Sequence, residues 1–382
     1  MHVLKNGTVV DADGAREADV AIADGEVVAV GDVGRGDSET DVSGQFVAPG
    51  LIDAHVHVMM DGRPDVATAQ DESDFDHAYI AAANLRKAVD AGVTTVRDLG
   101  ASGTLALDAG RAVAEDRLVG PRVLACGQNV VMTGGHGHWF GREADGPDEV
   151  RRAAREQLKR GADVIKCMAT GGVLTEGAQT GAPELTYEEL DALVDAASAK
   201  GVPTAAHAHG KEGLLNAVDA GITSIEHGTF MDREAAEAMA AEGTCWVPTA
   251  AALKNIVDNP DAGIPKSAMD KAVEAAEAFA SSFEHAEAAG VDIAMGTDAG
   301  TPFNHFDSIA DELAYMVEFG MSPEAALEAA TVTAAEVCGL DDVGRVAEGY
   351  RADLVVLNDD PAADADAWQD PAGVFVDGDR VA

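Results

Sequence analysis

The sequence predicts an α/β protein built on a (β/α)8 TIM-like barrel with a small β-sandwich beside it. Eight short apolar segments recur along the chain, and segments with helical periodicity fill the gaps between them. Strands that alternate with helices are typical of a parallel sheet, and eight such units suffice to close a barrel. Strand-like patterns also occur at both ends of the chain, and these ends are expected to pair outside the barrel.

The terminal segments differ from the rest of the chain in how their short strand patterns are separated. Short strand patterns separated by Gly and Asp fill residues 1–49, and Asp24-Gly25 between two of them is a hairpin signal. Residues 352–357 and 373–378 have the same character. We therefore assign residues 1–49 and 342–382 to one composite β-sandwich domain, and residues 50–341 to the barrel.

The barrel elements follow from the alternation of patterns. The eight predicted strands are residues 51–58, 93–98, 122–126, 163–168, 202–207, 224–227, 245–248 and 291–297. The helices predicted between them are residues 75–91, 147–160, 186–200, 211–220, 233–242 and 267–289. Many of the helical segments are followed directly by glycine, for example Gly161 and Gly290, which is a helix-stop signal.

The chain is strongly acidic, with 68 Asp and Glu against 26 Lys and Arg and a formal net charge of −42. Because such a surface repels nucleic acid and anionic membranes, we expect neither as a partner. The imbalance and the scarcity of lysine resemble proteins of salt-adapted organisms, and an ordinary acidic cytoplasmic protein is the alternative. The four cysteines form no CxxC pair and the N-terminus lacks a signal-peptide pattern, so we expect a cytoplasmic protein with reduced thiols.

Possible metal ligands stand at or near the ends of several predicted strands. In a barrel of this kind, the C-terminal ends of the strands meet on one face, where active sites are built. His55 and His57 alternate along one strand, so both side chains point the same way. Imidazoles and carboxylates are usual ligands of divalent transition metals. The set that predicts a metal site is His55, His57, Lys166, His207, His227 and Asp298.

The run Pro49-Gly50-Leu51-Ile52-Asp53, directly before the His-x-His pair, resembles the signature of the amidohydrolase superfamily. The resemblance covers nearly the whole chain and includes residues 349–355. It implies that His55, His57 and Asp298 bind one metal ion and that His207 and His227 bind a second, with zinc as the expected metal. It also implies that Asp298 is the base that takes a proton from the metal-bound water.

Lys166 lies inside an apolar strand, where a charged amine is costly to bury. An ion pair with Asp298 or a polar layer inside the barrel would explain it. The segment 161–172 resembles the branch of the superfamily that contains Xaa-Pro dipeptidases and Xaa-Arg or Xaa-Lys carboxypeptidases. That resemblance implies that CO2 carboxylates Lys166, which then bridges the two divalent metal ions.

Other residues are candidates for contact with the substrate. Spacing does not separate His207 from His209, and the family pattern favours His207 as the ligand. His136 and His138 follow the third strand, so they are expected above the barrel mouth or on a surface loop. Arg97 ends the second strand, where it binds substrate or forms a structural ion pair. Tyr187 follows a Gly-rich loop, residues 171–183, that looks like a lid.

Together these features predict a metal-dependent hydrolase whose small-molecule substrate is an N-acyl amino acid or a dipeptide. A hydroxide that bridges the metal ions would attack the amide carbonyl, and we expect a homo-oligomer. The alternative is a mononuclear imidazolonepropionase-like or deaminase-like hydrolase of cyclic amides or amidines, although such enzymes typically lack the bridging lysine. A non-catalytic paralogue of dihydropyrimidinases would have lost ligands, whereas all six are present here.

Overall fold

The computed structural model describes residues 1–175, 179–260 and 262–382. The strands, in chain order, are β1 His2–Asp11, β2 Gly14–Ala23, β3 Glu26–Gly31, β4 Ser38–Asp41, β5 Phe46–Pro49, β6 Leu51–Val56, β7 Val93–Asp98, β8 Arg122–Ala125, β9 Val130–Val131, β10 Arg142–Glu143, β11 Ile165–Met168, β12 Thr204–Ala208, β13 Ser224–His227, β14 Cys245–Val247, β15 Leu354–Leu357, β16 Gly373–Val376 and β17 Asp379–Arg380.

Eleven α-helices are formed within the described ranges, together with 3-10 helices at Val66–Asp71 and Ala365–Gln369. The α-helices are α1 Asp74–Asp90, α2 Leu105–Ala114, α3 Pro147–Arg160, α4 Tyr187–Ser198, α5 Lys211–Asp219, α6 Arg233–Glu242, α7 Ala250–Val257, α8 Lys266–Ala289, α9 Asp311–Glu318, α10 Pro323–Ala330 and α11 Val332–Val337. None of the helices in these ranges combines the length and the apolar character needed to cross a lipid bilayer.

The two ends of the chain share one sheet. Its strand order is β17-β16-β15-β5-β1-β2-β3, with β4 beside β1, and the antiparallel pair β5–β15 joins the N-terminal to the C-terminal strands. Leu4, Val20 and Leu354 are fully buried in an apolar core that belongs to this sheet. This sheet brings the two ends of the chain together. The division into a terminal domain, residues 1–49 and 342–382, and a barrel domain, residues 50–341, stays a prediction.

The central strands form two parallel sheets. One has three strands in the order β6-β7-β8, and the other has six in the order β10-β9-β11-β12-β13-β14. Every residue of β6, β7 and β11–β14 is buried. Parallel strands that are covered on both faces are encoded by continuous apolar segments, and the sequence shows such segments at these strands. The predicted α/β class with parallel sheets is therefore confirmed.

The strand predicted at residues 291–297 is wrong. This segment and the residues directly after it make only isolated bridges, from Ile293 to Trp246 of β14 and from Ala299 to Val56 of β6. Its backbone divides its hydrogen bonds between the two sheets and turns left-handed at Asp298, with φ 61°, so no regular ladder forms. The structure thus shows parallel sheets with a linking segment between β14 and β6, and the described residues do not form a closed eight-stranded barrel.

The predicted helices are confirmed to within two residues at each end, because local signals fix them. Ser73 and Asp76 form a capping box at the start of α1, and Thr186 and Glu189 form another at α4. Helix α3 begins with Pro147 and stops at Gly161, whose φ of 94° suits glycine. Residues 176–178 of the predicted lid loop lie outside the described residues.

Candidate metal centre

The predicted metal ligands converge although they are far apart in sequence. His55 belongs to β6 and His57 follows it, whereas Lys166, His207 and His227 belong to β11, β12 and β13. All of these side chains, together with Asp298, are buried and line one cleft. Because the strands within each of the two sheets are parallel, their C-terminal ends lie on the same face.

Asp298 and the His-x-His pair form the first group of possible ligands. Oδ1 of Asp298 lies 3.5 Å from Nε2 of His55 and 3.3 Å from Nε2 of His57. Ligand atoms bound at roughly 2.1 Å around one tetrahedral metal lie about 3.4 Å apart. Oδ1 of Asp298 is buried and has no hydrogen-bond partner within the described part of the chain. The three atoms are therefore spaced as ligands of one metal would be.

A second group consists of His207, His209 and His227. One ligand atom from each lies within 4.8 Å of the others, and the same holds for His55, His227 and Asp298. Burial lowers the pKa of His207 and His227 well below the usual value, so both imidazoles are neutral at pH 7. Nε2 of His207 is buried without a partner among the described residues. A neutral imidazole with a free lone pair is the form that binds a metal.

Hydrogen bonds at Nδ1 fix the tautomers of three of these rings. Nδ1 of His57 donates to the carbonyl of Gly100 at 2.8 Å. His227 donates at 2.7 Å to Oγ1 of Thr249, because that hydroxyl gives its own hydrogen to the Pro248 carbonyl. His55 donates to Glu226 at 2.9 Å. Since Nδ1 holds the proton in each ring, Nε2 is left as the acceptor that could bind a metal.

Left-handed backbone conformations occur at two residues that line the cleft and at Thr249, which holds His227. His227, Thr249 and Asp298 have φ values of 70°, 56° and 61°. Residues other than glycine rarely adopt this conformation because it is unfavourable in free energy. It persists where contacts with the surrounding structure fix the backbone. Each of the three lies directly after or near the end of a buried segment, so the chain turns sharply where the site is built.

Glu226 is the functional candidate that sequence reasoning missed. It is fully buried, binds Nδ1 of His55 with one oxygen and accepts from Nη2 of Arg97 at 3.1 Å with the other. Burial opposes its charge, but Arg97 and His55 outweigh that effect and hold the pKa of Glu226 down at about 2. The ionised carboxylate therefore connects a buried arginine to a candidate metal ligand. Its place directly before His227 on β13 was the only signal in the sequence.

Replacing Glu226 tests this arrangement. Glu226→Gln keeps the shape of the side chain but leaves Arg97 buried without an anion and weakens the hold on His55. We expect the unfolding free energy of the metal-free protein to fall by about 3–5 kcal/mol and the metal affinity to fall roughly 10–100-fold. Denaturant titration and a competition assay with a metal buffer measure the two effects. The exposed Glu242→Gln is the control, and unchanged metal affinity in Glu226→Gln would contradict the positioning role.

The predicted substrate contacts divide into two groups. His136 and His209 line the cleft, where the His136 ring lies 4.4 Å from His207 and His209 stacks on His227 at 4.9 Å. His138 is exposed and contacts the Gly135 carbonyl, and Tyr187 is 43% exposed at the start of α4. Neither lines the cleft, so the structure does not support them as substrate contacts.

Arg97 also lies away from the cleft. Its guanidinium is fully buried beneath the histidines, where it donates to the Ala54 carbonyl, Ser224 and Glu226. All of its contacts are internal to the protein and it does not line the cleft, so the structure does not support Arg97 as a substrate contact. The geometry is that of the structural ion pair.

Apolar side chains form the remaining walls of the cleft. They come from the segment after β6, the loop between β9 and β10, the residues at and after β11, and helix α7. The larger ones are Met60, Val66, Trp139, Phe140, Met168, Val173, Leu174, Leu253 and Ile256. The site therefore combines a polar floor of possible metal ligands with an apolar upper part, which is the usual make-up of a small-molecule site.

Known proteins resemble this chain in sequence and in structure. The model of the Amidohydrolase family matches residues 46–381. The ochratoxinase of Aspergillus niger is 30% identical over an alignment of 420 residues, which covers 97% of this chain and 84% of that protein. The structure of a Xaa-Pro dipeptidase with bound methionine in its active site has 32% identity and a TM-score of 0.93, covering 100% of this chain and 99% of that one.

A prolidase complexed with N-methylphosphonate-L-proline is similar to the same degree, with 29% identity, a TM-score of 0.93 and coverage of 100% and 99%. The chain belongs to the amidohydrolase family. It is a hydrolase that acts on carbon–nitrogen bonds, as its prolidase and ochratoxinase relatives indicate.

Proposed function

We propose that this protein is a binuclear metal-dependent hydrolase that cleaves the amide bond of small N-acyl amino acids or dipeptides. The observation that carries the proposal is the pair of overlapping ligand groups, His55, His57 and Asp298 on one side and His207 and His227 on the other. The dipeptidase and prolidase relatives hold methionine and a proline derivative, which supports a substrate that contains an amino acid. Closure of the eight segments into one barrel, as is typical of the family, is part of the proposal.

Two divalent metal ions, zinc by expectation, would lower the pKa of water and polarise the amide carbonyl. Asp298 would move the proton. Burial opposes its charge, but His55 and His57 outweigh that effect and hold the pKa of Asp298 below its usual value. Its carboxylate is therefore ionised at neutral pH, ready to accept a proton from the attacking water and to pass it to the leaving amine.

We also propose that Lys166 is carboxylated and bridges the two ligand groups. Lys166 is buried, and among the described residues its amine forms no ion pair with a carboxylate, whereas Asp298 and Glu226 pair with histidines and Arg97. Burial lowers the pKa of Lys166, which favours the neutral amine. The neutral amine is the form that reacts with CO2, and the product carries the negative charge that suits two dications.

A hydrolysis assay combined with metal analysis tests the function. Purified protein is given N-acetyl amino acids, Xaa-Pro, Xaa-Arg and Xaa-Lys dipeptides, and its metal content is measured on the same sample. We expect turnover of at least one of these amides, two metal ions per chain, and loss of activity on chelation that added zinc restores. One tightly bound metal at full activity would instead favour the mononuclear hydrolase of cyclic amides or amidines.

The acidic composition leads us to propose a salt-adapted source. The 68 acidic side chains far outnumber the 26 basic ones, so most carboxylates have no cation to pair with. Their repulsion is screened over ~3 Å at 1 M salt but over ~30 Å at 0.01 M. We expect the thermal unfolding midpoint to rise steeply from low salt to molar KCl, as followed by circular dichroism. A midpoint that does not move with KCl would contradict this proposal.

A further inference from the structure

Helix α7 forms one wall of the cleft and was absent from the sequence prediction. It follows β14 directly, and its residues Ala252, Leu253 and Ile256 face the cleft that contains the histidines. Leu253 is 6% exposed and Ile256 is 3% exposed, so both are largely enclosed. A group of the substrate that lies against this helix would therefore meet a continuous aliphatic surface.

The wall is held firmly in place from behind. Glu312 of α9 is fully buried and accepts hydrogen bonds from the backbone N–H groups of Ala250 and Ala251, at 2.8 and 2.7 Å. These are the first residues of α7, where N–H groups have no partner within the helix. The buried carboxyl group of Glu312 at this end fixes the helix start, so Leu253 and Ile256 present a defined surface rather than an adaptable one.

Within the described ranges, the apolar part of the cleft beside α7 offers no counter-ion for a charged side chain of the substrate. Of the side chains that line the cleft within the described ranges, only Lys166 and Asp298 belong to the Asp, Glu, Lys and Arg types, and both lie among the possible metal ligands. Trp139, Phe140 and Leu174 line the same cleft. A charged side chain placed against these apolar surfaces would lose its water without gaining a counter-ion, which is strongly unfavourable.

We infer that the substrate presents an uncharged apolar group to α7, and that Leu253 and Ile256 determine this preference. The inference rests on the proposed function and narrows its range of substrates. The cationic side chains of Xaa-Arg and Xaa-Lys dipeptides would not bind against α7. The net charge of −42 attracts cations to the surface in general. That attraction is long-ranged and screened by salt, however, whereas selection in the cleft depends on the desolvated contacts.

Substrates matched in length test the preference. N-acetyl-norleucine and N-acetyl-lysine differ at the end of the same four-carbon chain, and norleucyl-proline and lysyl-proline carry the same difference on the acyl side. We expect kcat/KM to be at least a hundredfold higher for the apolar member of one or both pairs. Equal values within both pairs would overturn the inference.

Variants of α7 locate the determinant. Leu253→Glu should reduce the ratio of kcat/KM between the norleucine and lysine substrates at least tenfold. If circular dichroism shows that Leu253→Glu does not fold, Ile256→Glu is measured in its place. Asn255→Asp adds a carboxylate on the same helix away from the cleft and should leave the ratio unchanged. A ratio that Leu253→Glu or Ile256→Glu does not alter, or that Asn255→Asp alters equally, would contradict the assignment.

Binding measurements separate this inference from the proposed function. Calorimetry with the same four compounds reports recognition whether or not they are cleaved. Binding of the norleucine compounds without hydrolysis of any amide would overturn the proposed function and support the inference about α7. Hydrolysis of the norleucine and lysine compounds at equal rates would support the proposed function and contradict the inference about α7. Failure of all four compounds to bind would count against the inference.

Discussion

Asp298→Asn should lower kcat/KM by about a thousandfold or more, which makes it one of the two most damaging single changes in this protein. The substitution keeps the size of the side chain but removes both the charge that faces His55 and His57 and the site that accepts a proton. General base catalysis contributes roughly 10²–10⁴-fold, and weaker metal binding would add to the loss. Steady-state kinetics and metal analysis on the same preparation measure both effects.

Asp292→Asn is the matched control for this experiment. Asp292 belongs to the same linking segment between β14 and β6, but it is exposed and does not line the cleft. The chemical change is identical, so its activity and metal content should equal those of the unmodified protein. An Asp298→Asn protein that keeps more than about a tenth of the activity would show that another group moves the proton.

Lys166→Ala should lose most of the activity, about a hundredfold or more, together with at least one metal ion, while the fold remains. If the lysine is carboxylated, its removal opens the coordination of both metal ions at once. A small carboxylate such as formate or acetate should enter the gap and restore part of the activity. Rescue is followed by kinetics at increasing carboxylate concentration, with metal content measured in parallel.

Two controls make the Lys166 experiment specific. Chloride at the same ionic strength should give no rescue, because it cannot bridge through two oxygens, and acetate should not rescue Asp298→Asn. Mass spectrometry of the intact active protein should detect the added CO2 under mild conditions. A high-resolution density map with an unmodified Lys166 amine in the active, metal-loaded enzyme would rule out the bridging role.

The local elements of this protein could be read from its sequence because neighbours along the chain decide them. The capping box of Ser73 and Asp76 and the stop at Gly161 set helix ends without help from distant residues. Alternation along β6 put His55 and His57 on the same face of one strand. The predicted strands and helices of the α/β core were therefore correct at all but one position.

The exception, residues 291–297, shows what a local sequence pattern does not determine. Residues 291–297 have the apolar pattern of a strand, but the segment lies between two sheets and divides its hydrogen bonds between them. The left-handed turn at Asp298 then takes the chain out of a regular ladder. A pattern of apolar residues predicts burial, and whether a buried segment becomes a strand depends on what lies beside it.

By itself, the sequence determined the family, the parallel α/β core and the residue types of a candidate metal site. Only the tertiary structure decided how those residues act together. Glu226 meets His55 across 171 positions and Arg97 across 129, which no spacing rule could reveal. Packing likewise left His138 and Tyr187 outside the cleft and placed α7 over it. Contacts between distant segments depend on how buried surfaces fit, and this information is shared by the whole chain rather than carried by any one motif.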